Sequence, residues 1–246
     1  MTSYFSKAAL CAATTLALAV PAHAAVVIGG SDLLTLTHAA QMETWLTGDP
    51  QLAYSGPLAF TNIFDKASGD TSADFHAAVD GKGPTFFVME ATAAGGVTQI
   101  IGGYKPISWT LSGNYITNPT VADRIAFIFN LISTTTLQQT AGALGNNQSY
   151  NNPAHGPTMG AGHDIYVDST LSAGHVYAAS YCLNPAGGCT GGTDVIGGDG
   201  GGGQTAVTYG ALEVFTISAE VPIPAAAPLL LGALGLIGLI ARRRKS

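Results

Sequence analysis

Apolar positions near the start of the chain form a continuous run rather than a periodic one. The segment from Ala8 to Val20 is predominantly apolar, follows the single basic residue Lys7 and precedes the small-residue stretch Pro21–Ala24. This order is typical of a secretory signal peptide, because the run is too short for a spanning helix and small residues precede the expected cleavage point. We therefore assign residues 1–24 to a Sec signal peptide, removed before Ala25, and expect the Sec translocon and signal peptidase to process the chain.

Helical periodicity follows in one place. Leucine and alanine recur at helical spacing between Ser31 and Leu46, and Ser31 or Asp32 could cap the start. Gly48-Asp49-Pro50 would end the helix. The pattern predicts a helix from Ser31 to Leu46 within an N-terminal helical segment, residues 25–50.

From residue 51 onward the pattern changes to short apolar runs separated by Gly, Pro, Asn and Asp. Such runs predict strands, and few helical patterns lie between them. The whole of residues 51–218 therefore reads as a mainly β domain, a sandwich with a little helix. The clearest predicted strands are Thr85–Ala91, Val97–Tyr104, Ala126–Ile132, Ile165–Val167 and Val207–Ile217.

The glycine-rich stretch from Leu183 to Gln204 and the two cysteines around its start need separate treatment. Its composition predicts a mobile surface loop that packs no core. Cys182 and Cys189 are the cysteines left after signal-peptide removal, and in an oxidising exported compartment they are expected to form a disulfide. Two thiolates without a nearby histidine or third cysteine would make an incomplete zinc site.

Charge narrows the possible partners. Residues 25–220 hold fifteen acidic residues and only four basic ones, a net charge of −11. A domain this acidic has no basic surface to neutralise phosphates, so nucleic-acid binding is excluded and anionic membrane surfaces are disfavoured.

Several motifs, read in order, carry a family resemblance. They are "DFHAAVDGKGPTFFVMEAT" (74–92), "IIGGYKPISW" (100–109), "AFIFNLIS" (126–133), "YNNPAHGPTMGAGHDIYV" (150–167) and "YGALEVFTI" (209–217). Their order and spacing resemble the TLDc domain. The resemblance implies a β-sandwich of two antiparallel sheets flanked by a few helices. Val79 stands where the family commonly has cysteine, which removes thiol chemistry there, while Met159 and Ala161 are further departures.

The resemblance and the residue types together nominate a set of interaction or structural residues. His76, His155 and His163, with Asp80 and Asp164, could form a metal site or an acid–base pair if the fold brings them together. Equally, His76 in a strand or turn, Asp80 in a turn and His163-Asp164 before a strand could bond the backbone. The glycines are expected where strands end, Tyr104 and Trp109 are expected to fill the core or its rim, and Glu213 is the best candidate for an interaction role. The full set is His76, Asp80, Gly102, Gly103, Tyr104, Trp109, Gly162, His163, Asp164 and Glu213.

No local signature nominates a catalytic nucleophile, since neither HExxH nor GxSxG occurs. TLDc proteins are generally regarded as non-enzymatic and are linked to oxidative-stress protection, so the resemblance implies no catalytic residue, no cofactor and no bound metal. The alternative hypothesis is a metal-dependent extracellular hydrolase using His76, His163 and Asp164.

The end of the chain carries a second resemblance. An apolar run from Ala225 to Ala241, roughly 25 Å long as a helix, would just span a bilayer. Its order of proline motif, apolar helix and basic cluster resembles the PEP-CTERM class of sorting signals in its VPLPA variant, here over residues 221–246. The motif residues are Val221, Pro222, Ile223, Pro224 and Ala225, and the basic cluster includes Arg242, Arg243 and Arg244.

That resemblance implies an exosortase-type transpeptidase as a partner. The helix would be a transient inner-membrane anchor, and the protein would then reach the cell surface or extracellular matrix of a Gram-negative bacterium. Exopolysaccharide or another surface-matrix component is the expected ligand class. We expect the mature protein to lack Leu229–Ser246.

Overall fold

The structure is a computed structural model, which describes residues 25–186, 188–189, 192–198 and 203–219. The predicted signal peptide and the predicted sorting tail therefore lie outside the described residues. In the part of the chain that is described, no helix is both long and apolar enough to cross a membrane.

This part is mainly β, as predicted, with two sheets and two α-helices. Short 3₁₀ turns occur at residues 50–52, 121–123 and 143–146. In chain order the strands and helices are β1 (Val26–Ile28), α1 (Leu36–Gly48), β2 (Leu58–Asp65), α2 (Ser72–Val79), β3 (Thr85–Ala93), β4 (Gln99–Lys105), β5 (Asn114–Thr117), β6 (Phe127–Asn130), β7 (Thr135–Gln139), β8 (Asn147–Asn151), β9 (Ile165–Val167), β10 (Ala173–Val176), β11 (Tyr181–Cys182) and β12 (Thr205–Ala219).

A central sheet runs in the order β1-β2-β12-β3-β4-β6-β7-β11. Its strands pair antiparallel except at one edge, where β1 is parallel to β2, unlike the all-antiparallel arrangement the resemblance implied. Successive residues of β3 enter opposite cores: Phe86 and Val88 face one, Phe87 and Met89 the other. A strand covered on both faces explains why its sequence is a continuous apolar run without polar alternation.

A second layer covers one face of the central sheet. It consists of the β5–β8 ladder and of β9 and β10, and Met159 bridges Ser149 of β8 to Ile165 of β9. β10 pairs with the first residues of β12, so this strand joins the two layers. Ile165, Val167 and Val176 pack in the same core as Phe87, which places that core between the layers.

Helix α1 covers the opposite face of the central sheet, through Ala39, Met42 and Leu46. The predicted cap at Ser31 or Asp32 is wrong. The helix begins at Leu36, and Thr35 is its cap, accepting a hydrogen bond from the backbone N–H of His38 at 3.2 Å. Ser31 instead accepts backbone N–H groups of residues 33 and 34 in a local turn, which delays the helix by about one turn. The predicted end near Gly48 is confirmed.

Helix α2 was not predicted, and His76, expected in a strand or turn, lies on it. The backbone N–H of Thr71 donates to the Asp74 carboxylate at 2.9 Å at the helix start. An eight-residue helix completes too few turns for its apolar spacing to be distinguished from other patterns.

The prediction that Leu183–Gln204 packs no core is wrong for its described centre. Val195 is buried in the core between the layers, and its carbonyl accepts a hydrogen bond from the Asn130 amide at 3.0 Å. Asp194, also buried, accepts the backbone N–H groups of residues 196 and 198. Cys182 and Cys189 form the predicted disulfide, with Cα atoms 5.3 Å apart.

Candidate functional site

Asp164 is wholly buried, and its carboxylate accepts the backbone N–H groups of Ala179, Ser180 and Tyr181 at 2.7–3.0 Å. Burial raises the pKa of this carboxyl group to about 6, against the opposing effect of the backbone hydrogen bonds. The inward-facing Asp164 carboxylate therefore fixes the start of β11. No part of the Asp164 side chain is exposed to a substrate.

His76 and Asp80 form a second polar pair, at the end of α2. Nδ1 of His76 lies 2.8 Å from Oδ1 of Asp80, and Nε2 lies 3.1 Å from the carbonyl oxygen of Asn152. The imidazole is almost fully buried and therefore ties α2 to the segment after β8. Asp80 also ends the helix and forms a backbone bridge with Trp109.

The candidate glycines serve close packing. Gly102 and Gly103 lie inside β4, where the prediction that the motif glycines sit at strand ends is wrong. A Cβ on Gly102 would collide with the carbonyl oxygen of Phe87 and with the Phe129 ring. A Cβ on Gly162 would lie 2.6 Å from a ring carbon of Tyr177. Only a residue without a side chain fits either place.

Tyr104 and Trp109 are buried, on opposite sides of the central sheet. Trp109 donates its indole N–H to the hydroxyl of Thr85 at 3.1 Å. Lys105, which sequence reasoning missed, is fully buried with its ammonium 4.7 Å from the Trp109 ring centroid and bonded to the carbonyls of residues 107 and 108. Burial lowers the pKa of Lys105 to about 7, opposed by the charge of Asp80.

Glu213 is buried at the centre of β12 and binds the N-terminal segment of the same chain. Its carboxylate accepts a hydrogen bond from the Ser31 hydroxyl, and its other oxygen accepts the backbone N–H of Asp32 at 2.7 Å. In this arrangement the candidate interaction residue joins two parts of one fold and is not exposed to a partner.

The remaining candidate, His163, lies in a cluster of aromatic side chains on the outer side of the second layer. Tyr166 points outward because its neighbours Ile165 and Val167 are both buried, and side chains alternate along a strand. The members are all half-buried, and we call the cluster the His–Tyr face: Tyr115, Tyr150, His155, His163, Tyr166 and His175.

Strand pairing builds this face. Tyr115 is paired with Tyr150 across β5 and β8, and Tyr166 with His175 across β9 and β10, at centroid separations of 4.6 and 5.0 Å. His163 stands between these pairs, nearly parallel to Tyr150, Tyr166 and His175 at 5.5–6.2 Å. Such contacts between rings add to the stability of a packed aromatic cluster.

The face is electrically neutral near pH 7. Burial, and then the neighbouring His155 and His175, lower the pKa of His163 to about 4. Burial also lowers the pKa of both neighbours. The Tyr115 hydroxyl donates to the carbonyl of Ala161 at 3.1 Å and lies 3.1 Å from Nε2 of His163. No ion pair among the described residues involves a member of the face.

The structure does not bring the proposed hydrolase residues into one site. His76 is bonded to Asp80 and to the Asn152 carbonyl, His163 belongs to the His–Tyr face, and Asp164 is turned into the interior. Across the described ranges no group of three or more His, Cys, Asp or Glu residues is arranged to hold a metal ion.

These features define a mainly β domain whose motif residues are largely structural and whose half-buried His–Tyr face is uncharged near pH 7. The TLDc domain family profile matches residues 27–217, and the chain therefore belongs to the TLDc domain family. No curated protein matched the sequence significantly.

Four members of the His–Tyr face were not nominated from the sequence: Tyr115, Tyr150, Tyr166 and His175. Their clustering depends on pairing between β5 and β8 and between β9 and β10, which no single segment reveals. The available signal was the concentration of histidine and tyrosine between residues 150 and 177. His155 was nominated with His163 for a metal site or an acid–base pair, and the structure places it in this aromatic cluster instead.

Proposed function

We propose that this protein is an exported, non-catalytic TLDc-domain module with a binding or structural role, sorted to the cell surface or extracellular matrix by an exosortase-type system. A protective role of the kind linked to the family is one form of this function. The leader and tail motifs in the sequence support export and sorting, and membership of the TLDc family supports a non-catalytic domain.

The observation that carries the non-catalytic part is how two of the three candidate carboxylates are used. Asp164 and Glu213 are both fully buried and bonded to backbone or hydroxyl groups of the protein itself. A general acid or base must reach the substrate proton directly or through one water molecule. Neither carboxylate meets that condition in the folded domain.

Intact-mass measurement on protein from fractionated cells tests the sorting proposal. The expected species begins at Ala25, lacks Leu229–Ser246 and is found outside the cytoplasm. Deletion of residues 221–246 should release the protein from the surface fraction. Recovery of surface material that still carries the full tail would overturn the proposed processing.

Turnover assays test the absence of catalysis. Purified mature protein is expected to leave glycan, ester and peptide substrates unchanged, with or without added Zn²⁺ or Ca²⁺. Turnover by the wild type that is lost in His163→Ala would contradict the proposal. A stoichiometric metal in the purified protein would support the hydrolase hypothesis instead.

A further inference from the structure

We infer that the His–Tyr face is the ligand-binding surface of the protein and that its ligand is an uncharged polysaccharide, held by stacking of sugar rings on the aromatic side chains. This inference rests on the proposed function, which requires a surface that binds, and it names both the surface and the chemical class of its ligand.

The first support is the composition of the surface. Six aromatic side chains from two pairs of strands and the intervening loop lie side by side and remain half-buried. Tyrosine and histidine have an apolar body and a polar end, so they suit ligands that present both C–H faces and hydroxyl groups. The Tyr150 hydroxyl accepts a hydrogen bond from the Asn152 amide at 3.4 Å, and its own O–H can donate to a ligand hydroxyl.

Charge is the second support. Residues 25–220 carry a net charge of −11, which repels polyanions, yet the face itself holds only neutral groups at pH 7. The lowered pKa values of its three histidines remove the positive charge that an anionic polymer would need. The face offers no charged group that could pair with an ionic polymer, and its neutral ring surfaces complement an uncharged chain of sugar rings.

The third support is the position of the face relative to the chain ends. Val26 pairs with Ala59, and Ala59 with Ser218, so the first and last described residues meet at one end of the central sheet, about 10 Å apart across two strand spacings. We call this end the tether end, because the leader and the tail attach there.

The His–Tyr face lies at the other end of the same long strand. His175 pairs with Ala206, thirteen positions before Ala219 on β12, which is roughly 40 Å along the strand. A domain held by its tether end during sorting would thus present the face away from the membrane. The face would be free to contact matrix polymer while the tail is still attached.

The test uses mature protein recovered from the producing cells, with insoluble cellulose and a soluble neutral glucan as uncharged probes. Alginate and chitosan serve as anionic and cationic comparisons. We expect saturable binding to an uncharged probe that changes little with ionic strength, because no charges are involved.

Tyr150→Leu and Tyr166→Leu should each weaken this binding about tenfold or more, the size of effect seen for central interface residues. Tyr54→Leu is the matched control, since Tyr54 is also half-buried but packs near Tyr104 on the α1 side of the sheet. The control should bind like the wild type. Melting curves confirm that each variant is folded. Any variant that is not folded is replaced by the corresponding Val variant, which also removes the ring and suits a strand position.

Unchanged binding by both face variants would overturn the inference, as would binding to alginate or chitosan alone, or to none of the four polymers. Surface location is scored separately by protease treatment of intact cells. If the protein is exposed on the cell surface but does not bind uncharged polymers, this inference is refuted and the proposed function is unaffected. Protein confined to the cytoplasm would refute the proposed function itself.

Discussion

Replacing His163 by asparagine should make the folded protein less sensitive to acid. His163 lies at the centre of the His–Tyr face, surrounded by Tyr115, Tyr150, His155, Tyr166 and His175, and protonation would place a positive charge among them. Asparagine is the appropriate substitute because residue 163 has a positive φ of 55°, a conformation that asparagine tolerates better than most residues.

The sign follows from the pKa of His163 in the two states. Folding lowers it from 6.5 to about 4, so between these values the unfolded chain binds the proton more tightly. The stability that neutral His163 contributes is present above pH 6.5 and is lost as the pH falls towards 4. A shift of this size corresponds to about 3 kcal/mol for a fully shielded group, but water screens this half-buried ring, which reduces the expected effect to about 1–2 kcal/mol.

Urea denaturation of wild type and His163→Asn at pH 7.5, 6.0, 5.0 and 4.5 measures this effect. The free energy of unfolding of the wild type, relative to the variant, should fall by about 1–2 kcal/mol across the series. Asp164 acts in the opposite direction, since burial raises its pKa to about 6, but both proteins retain it and its contribution cancels in the difference. A difference that stays constant with pH would refute the conclusion that the face holds His163 neutral.

Further substitutions probe the buried contacts, each measured as a change in the free energy of unfolding. Glu213→Ala should cost about 2–4 kcal/mol and make residues 25–35 sensitive to limited proteolysis, because the Ser31 hydroxyl and the Asp32 N–H lose their buried acceptor. Unchanged protease resistance would contradict this. Asp164→Ala should cost about 3–5 kcal/mol, because three buried backbone N–H groups lose their acceptor. A loss below about 1 kcal/mol would argue against Asp164 as the structural acceptor of these groups. Gly102→Ala should destabilise the protein by several kcal/mol, because the added Cβ would clash with Phe87. The control Gly48→Ala, whose Cβ would meet nothing nearby, should be neutral or slightly stabilising. Equal effects of the two substitutions would be inconsistent with close packing at β4. Cys182→Ser should cost about 2–3 kcal/mol under oxidising conditions and nothing once the wild type is reduced.

The strands could be predicted where local pattern and burial coincide. In β3 a continuous apolar run corresponds to a strand buried on both faces, and the prediction was correct to within two residues. Helix α1 was predicted with the correct end and the wrong start, because Ser31 bonds its own neighbours and Glu213, a partner 182 positions away. Local sequence carries no sign of that partner.

The residues of the candidate site also divide into those that local sequence could predict and those that depend on distant contacts. The proposal that Asp164 bonds backbone groups could be made from its position before a strand, and it does so, although the acceptor's partners at residues 179–181 were not foreseen. The His–Tyr face depends on which strands pair, and this is a property of the whole fold. The burial of Val195 in a glycine-rich stretch was missed because composition averages over a segment, while a single apolar residue can still enter the core.

The position of β12 has a consequence for when the protein can fold. This strand lies between β2 and β3 at the middle of the central sheet, yet it is the last of the described strands to leave the ribosome. Until it arrives, β2 and β3 have no partner between them, and Glu213 cannot hold Ser31. Contacts between such distant segments form slowly. The central sheet therefore cannot be completed until the final strand has emerged from the ribosome. A chain whose sheet is still open can be threaded through a translocation channel, as the proposed export would require.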